Sequence, residues 1–241
     1  MIGREMRNSF CMSGIIMTVP FRSAICLALI LSACGSQQQP VQHTVQRELQ
    51  KGQVVVHEED TRKVIAAFGD SISAGFGVEP GKSYPDDLQR LIDQGGYKYR
   101  IVNLGVSGDT TTDGVERLPA VLAVHPAIVI LEFGGNDGLR GQPVASAKAN
   151  LATMIEAIQK SGAKVVLAGM SLPRNYGPEY IHSFEQMYGE LAKQYKVTLI
   201  PFLLEGVGGN ASLTQADGIH PTAEGAVIVA GVTMKYLQPL L

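Results

Sequence analysis

Five short, nearly unbroken apolar runs recur through this chain, at residues 64–68, 101–104, 127–133, 164–168 and 197–200. Runs without polar alternation suit strands covered on both faces, the pattern of a parallel sheet rather than of hairpins with one wet side. The intervals between them are helix-length segments, at 83–94 with Pro85 near its start, 111–121, 144–161, 178–195 and 222–237. Within one of these, Leu151, Met154, Ile155 and Ile158 fall at spacings of 3, 4 and 7, which places them on one helical face turned to a core. Strands that alternate with helices of this length imply right-handed crossovers and helices on both sides of the sheet. The spacing predicts a three-layer α/β/α domain with a flavodoxin-like five-stranded parallel sheet over residues 61–241. In such a sheet, ligands gather beyond the carboxyl ends of the strands.

At 241 residues, 45% of them hydrophobic, the chain suffices for one well-buried core with additions. A formal charge of −2 supplies no cationic surface to neutralise phosphates, and nucleic acid is excluded as a partner.

The first 60 residues read differently. Arg22 precedes an apolar run at 24–31, far too short for a bilayer core of about 30 Å but suited to the centre of a signal peptide. The run ends in Leu31-Ser32-Ala33-Cys34-Gly35, which resembles a bacterial lipobox with Cys34 as the lipidated first mature residue. Residues 1–33 are then a removable lipoprotein-type signal, with Met17 an alternative start. Residues 34–60 are the lipidated cysteine and a polar tether, in which His43 and His57 are solvated. Cys11 and Cys26 fall in the removed segment, so the mature chain is expected to keep neither a free thiol nor a disulfide. Gly35 after the cysteine, in place of an acidic residue, resembles a sorting signal for the outer membrane. The expected partners are therefore a membrane, reached through the lipid, and a small-molecule or lipid substrate, with the domain itself a monomer.

Chemistry-bearing residues cluster where the apolar runs end. Gly69-Asp70-Ser71 follows the first, Ser107-Gly108-Asp109-Thr110 the second, and Gly134-Gly135-Asn136-Asp137 the third; Asp217-Gly218-Ile219-His220-Pro221 precedes the last helical segment. A serine hydroxyl is a weak nucleophile until a base takes its proton, and an imidazole can take that proton and pass it to a leaving group. Ser71 and His220 are the candidate pair. Asp217, three residues before His220, is placed to accept the Nδ1 proton and orient the ring. Gly-Asp-Ser near the domain's start, instead of a central Gly-x-Ser-x-Gly elbow, separates the chain from the α/β-hydrolases, which share the order Ser, Asp, His.

Together these four blocks resemble, in order and spacing, those of the SGNH (GDSL) hydrolase family. The stretches 105–110, 134–141 and 217–221, with Leu172-Pro173 and Asn175-Tyr176-Gly177, are most similar to its bacterial periplasmic thioesterase/lysophospholipase/arylesterase branch. The resemblance implies the SGNH hydrolase fold and a serine esterase that works through an acyl-enzyme without metal or cofactor. It implies a catalytic set of Ser71, Asp217 and His220, with an oxyanion hole formed by the backbone N–H groups of Ser71 and Gly108 and the Asn136 side-chain amide. Gly108, lacking a Cβ, would also let its backbone approach a ligand. The segment 138–143 corresponds to a loop that covers acyl chains, which makes Leu139 an expected substrate contact, and Pro173, in the similar Leu172-Pro173 stretch, is expected to be another. Asp70 and Asp137 read as loop-tying carboxylates rather than relay members, and His125 and His182 as surface or packing residues. Candidate substrates are medium-chain esters, thioesters, aryl esters and lysophospholipids. A carbohydrate O-deacetylase of the same fold and a non-enzymatic lipoprotein that binds acyl groups or cell wall are the competing readings.

Overall fold

The computed structural model describes residues 60–241. The signal-like run, Cys34 and nearly all of the expected tether lie outside the described residues.

Within the described residues the elements run β1 (Lys63–Gly69), α1 (Ser71–Ala74), α2 (Tyr84–Gln94), β2 (Tyr99–Asn103), α3 (Thr111–Ala123), β3 (Pro126–Glu132), α4 (Gly135–Leu139), α5 (Val144–Lys160), β4 (Lys164–Ala168), a 3₁₀ turn (Arg174–Tyr176), α6 (Pro178–Tyr195), β5 (Thr198–Ile200), α7 (Ala223–Leu237) and a final 3₁₀ turn (Gln238–Leu240). The five strands form one sheet in the order β2-β1-β3-β4-β5, and all four pairings are parallel. This is the flavodoxin-like order expected above, whose switch point lies between β1 and β3. Helix α2 packs with α7 on one face, while α3, α5 and α6 pack in succession on the other. Both faces are therefore covered, and Ile65, Phe68, Ile128, Ile130, Leu131, Val166 and Leu167 have almost no exposure.

Side chains at the helix starts explain the element boundaries. Ser83 caps α2 and Thr110 caps α3, each in a reciprocal box with the acidic residue three positions on, Asp86 and Asp113. Thr222 caps α7 through a bond from Gly225 N. Ser83 and Thr222, expected as first helical residues, are thus caps. Two short helices, α1 and α4, were not expected; each begins at a block that follows a strand. No helix of the described residues is long and apolar enough to cross a membrane.

Arg117 of α3 ties these blocks to the sheet. Its Nε donates to Asp109 Oδ2 at 2.5 Å, Nη1 to the carbonyl of Leu104 at 2.8 Å and Nη2 to that of Gly69 at 3.1 Å. The guanidinium lies 5.0 Å from the ring centre of Phe68 and 5.8 Å from that of Phe133. One planar fork thus joins the ends of β1 and β2 to the loop that carries Gly108. Arg117→Ala should lower the free energy of unfolding by about 2–4 kcal/mol, since it strands a carboxylate and two carbonyls. Arg117→Lys should restore less than about half, because an ammonium cannot reproduce the fork. Urea denaturation checks both; a loss under about 0.5 kcal/mol would mean that the cluster behaves as an exposed ion pair.

Candidate active site

Ser71 is the first residue of α1, immediately beyond β1. Asp70 caps that helix, its Oδ1 accepting from Ile72 N at 3.1 Å, so the turn that presents the serine is closed by its own neighbour. Gly69 makes the turn possible, because a Cβ there would lie 2.2 Å from Glu132 Oε2. Ser71 is 9% exposed and lines a cavity.

His220 arrives on the loop between β5 and α7. That loop is pinned by an isolated antiparallel bridge between Thr214 and Pro221, and Gln215 Nε2 donates to the carbonyls of Phe76 (2.7 Å) and Pro221 (2.9 Å). Asp217 Oδ1 accepts from the N–H groups of Ile219 (2.9 Å) and His220 (3.0 Å), while its Oδ2 lies 2.6 Å from His220 Nδ1. Partial burial pulls the Asp217 pKa upward, but the His220 bond and the two backbone donors outweigh it and hold the carboxyl below its usual range. An ionised carboxylate only accepts, so Nδ1 carries the proton and Nε2 is left as an acceptor. Nε2 stands 2.8 Å from Ser71 Oγ. The two residues are 149 positions apart in sequence, and the fold brings them within range of one proton transfer. Phe76 leans against the imidazole with ring centres 4.6 Å apart, a contact that no sequence pattern announced.

Ser71 N, Gly108 N and Asn136 Nδ2 are the expected anion-stabilising groups. Among the described residues, neither Ser71 N nor Gly108 N has a protein acceptor. Gly108 adopts φ +90°, and a Cβ there would meet no protein atom. Its glycine is required by backbone conformation, with open space left beyond it. Arg140 Nη2 holds the Gly108 carbonyl at 2.9 Å. Asn136, in α4, directs Nδ2 to the Asp109 carbonyl (2.9 Å) and to Asp70 Oδ2 (3.2 Å). Asp137 accepts from both Thr111 N and Thr111 Oγ1, at 2.9 and 2.6 Å, so it ties α3 to α4, as expected of a loop-tying carboxylate.

Behind the serine lies a second carboxyl that sequence reasoning passed over. Glu132, the last residue of β3, is fully buried, and its Oε2 accepts from Asp70 N (3.0 Å), Ser73 N (3.3 Å) and Ser73 Oγ (2.9 Å). Ser73 Oγ is in turn 3.1 Å from the hydroxyl of buried Tyr84. Burial, reinforced by the neighbouring Asp70 charge, drives the Glu132 pKa well upward; burial also raises Asp70, to about 6. A single acidic residue inside an apolar run was the signal available at residues 127–133.

A cavity of about 740 Å³ opens in front of Ser71 and His220. Ile72, Met170, Leu172, Phe202 and Leu204 give it apolar walls, and both Leu139 and Pro173 line it, as expected. Leu139 closes the short helix α4 rather than standing in an irregular loop, and its carbonyl accepts from the Tyr176 hydroxyl at 2.7 Å. Ser171, Arg174 and Glu185 make one margin polar, with Ser171 Oγ donating to Glu185 Oε1 at 2.5 Å.

Residues 67–228 match the sequence profile of the GDSL-like Lipase/Acylhydrolase family. Esterase TesA of Pseudomonas aeruginosa is 44% identical over 189 residues, which is 78% of this chain and 94% of that protein. Thioesterase 1/protease 1/lysophospholipase L1 of Escherichia coli is 38% identical over 175 residues, 72% of this chain and 83% of that protein. The crystal structure of AlinE4, an SGNH-hydrolase family esterase, superposes with a TM-score of 0.63 at 40% identity, over 75% of this chain and 97% of AlinE4. The chain belongs to the GDSL-like lipase/acylhydrolase family.

Proposed function

We propose that this protein is a serine esterase that hydrolyses acyl esters or thioesters through an acyl-enzyme, with Ser71 as nucleophile. The observation that carries the reading is the alignment of Ser71 Oγ, His220 Nε2 and Asp217 at 2.8 and 2.6 Å, with Ser71 and His220 lining an apolar-walled cavity. In this reading Ser71 Oγ attacks the acyl carbon as its proton passes to His220 Nε2. The imidazolium is stabilised by Asp217, and it protonates the departing alkoxide or thiolate. A water then gives a proton to the same nitrogen and attacks the acyl-enzyme; the acid leaves and the proton returns to Ser71.

Negative charge on the carbonyl oxygen would be met by Ser71 N, Gly108 N and Asn136 Nδ2. The first two have no competing protein acceptor among the described residues, and Asn136 would exchange its longer bond, the one to Asp70, for the oxyanion. Apolar walls of this extent favour a medium-length acyl chain over a lone acetyl group, and family membership together with the names of the relatives supports ester and thioester chemistry.

We also place the protein at the cell envelope, lipidated on Cys34 after removal of residues 1–33 and held by its tether, with the outer membrane as destination. The lipobox-like Leu31–Gly35 stretch supports this. Each buried acyl methylene adds about 0.8 kcal/mol, so more than one chain would make attachment lasting.

Ser71→Ala should abolish hydrolysis of p-nitrophenyl butyrate and labelling by a fluorophosphonate probe, whereas retained turnover would reject the mechanism. Asn136→Ala should lose about 10²- to 10³-fold in kcat, and Asp217→Asn about 10⁴-fold by imposing the wrong imidazole tautomer. A panel from acetyl to palmitoyl esters, with a lysophospholipid and an acetylated glycan, should peak at medium chains; a preference for the acetylated glycan would indicate the deacetylase instead. Radiolabelled palmitate should enter the chain and be lost in Cys34→Ser, which should also move the protein from the membrane to the soluble fraction. Unlabelled wild-type protein would refute the anchor.

A further inference from the structure

The two carboxyls beneath Ser71 use their oxygens unequally. Asp70 spends both: Oδ1 accepts from Ile72 N, with Ser71 Oγ at 3.4 Å, and Oδ2 accepts from Asn136 Nδ2. Glu132 spends one. Its Oε2 takes all three donors, and Oε1, fully buried, has no hydrogen-bond partner. Glu132 Oε2 accepts from the Asp70 backbone N–H at 3.0 Å, so the two buried carboxyls are neighbours beneath the serine. Two buried carboxylates this close disfavour each other's charge, so one proton is held on the pair. The bonds already in place favour one position for that proton, because both Asp70 oxygens are engaged as acceptors and Glu132 Oε1 is not. On Glu132 Oε1 it gives that atom a donor's role, while the carbonyl oxygen Oε2 keeps its three incoming bonds.

We propose that Glu132 is a neutral carboxylic acid in the working enzyme, donating to an ionised Asp70, and that this pair is a positioning device for the nucleophile and the Asn136 amide. The reading rests on the serine-esterase assignment for its catalytic meaning, though the proton's location does not depend on it. Asp70 reaches two elements at once: α1, through Ile72 N and the nucleophile at its start, and α4, through Asn136. A protonated Glu132 fixes the carboxylate that does this without adding a second charge near the developing oxyanion. The pair also explains why Gly69 lacks a side chain, since the Glu132 carboxyl occupies that space. The polar and charged groups around it are Tyr84 from α2, Arg117 from α3 at the Gly69 carbonyl, Asp137 from α4, Tyr188 from α6 and His220 from the β5–α7 loop. Of these, Arg117 is the cationic group, and it is already committed to Asp109; the His220 Nδ1 proton is engaged by Asp217.

Linkage supplies a test that does not read activity. A glutamic acid that stays protonated when folded and ionises when unfolded holds an extra proton in the native state, so its contribution to stability falls as pH rises above about 4.3. Glutamine keeps the donor and the acceptor but not the titration. In the full chain, the Tm of Glu132→Gln minus that of the wild type should increase between about pH 5 and pH 8. Infrared difference spectra at neutral pH should show a carboxylic acid carbonyl band that is lost in Glu132→Gln. Glu132→Leu should lower kcat for p-nitrophenyl butyrate by about 10- to 100-fold through misplacement of the donors, and Glu132→Gln should recover to within about threefold of the wild type, as a preserved hydrogen bond requires. A constant Tm difference across that pH range, or no lost acid band, would put the charge on Glu132 and overturn the proposal. Kinetic collapse of Glu132→Gln to the level of Glu132→Leu would overturn the positioning role even with the proton correctly placed. Failure of Ser71→Ala to abolish turnover would instead strike the esterase reading and leave the infrared and Tm results standing.

Discussion

A carboxylate that can only accept fixes which nitrogen of His220 carries a proton, and the remainder of the site is organised around the nitrogen left bare. Asp217 achieves this from an exposed loop, where a lone ion pair contributes little to stability. Its value lies in orientation. Two backbone N–H bonds to Oδ1 lock the carboxylate so that Oδ2 is the atom offered to the ring. The Thr214–Pro221 bridge and the Gln215 contacts then hold the loop against the segment after α1. A loop can be held to hydrogen-bonding precision when its own polar groups close on one another and on a rigid neighbour.

The rigid neighbour is the carboxyl edge of a sheet buried on both faces. Apolar burial makes β1 and β3 hard to distort, and the polar groups at their ends are paid for by mutual satisfaction: Arg117 gathers two carbonyls and Asp109, Asp137 takes two bonds from Thr111, and Glu132 takes three from the first block. A buried polar group left unpaired costs about as much as several well-made bonds contribute. The loops at this edge are consequently as determined as the strands beneath them, which a site with tolerances near half an ångström requires.

Most of the architecture was legible because unbroken apolar runs and helix-length intervals admit few arrangements. The strands, their parallel sense and the five larger helices follow the sequence pattern closely, with Ser83 and Thr222 shifting from first helical residue to cap. Helices α1 and α4 escaped because four or five residues carry no measurable period, and because their Gly-rich blocks read equally well as turns. The convergence of Ser71, Asp217, His220, Gly108 and Asn136 on one rim was inferable from strand ends alone. Their partners were not: nothing in a helical sequence marks Arg117 as an inward fork, and Phe76 reaches the imidazole only through the tertiary path of its loop. Glu132 was visible as a charge in a doubly buried strand, and that local inconsistency marks the group most tightly bound to the site's electrostatics.

Whether five separate positions act on one acyl group is tested most directly by trapping the tetrahedral geometry. A crystal structure of the protein after reaction with an alkyl phosphonate should show phosphorus bonded to Ser71 Oγ. One phosphoryl oxygen should then lie about 2.7–3.1 Å from Ser71 N, Gly108 N and Asn136 Nδ2, with the alkyl group along the cavity walls of Met170 and Leu172. An adduct whose phosphoryl oxygen points to solvent, with Asn136 still bonded to Asp70 and Gly108 N turned away, would contradict the account.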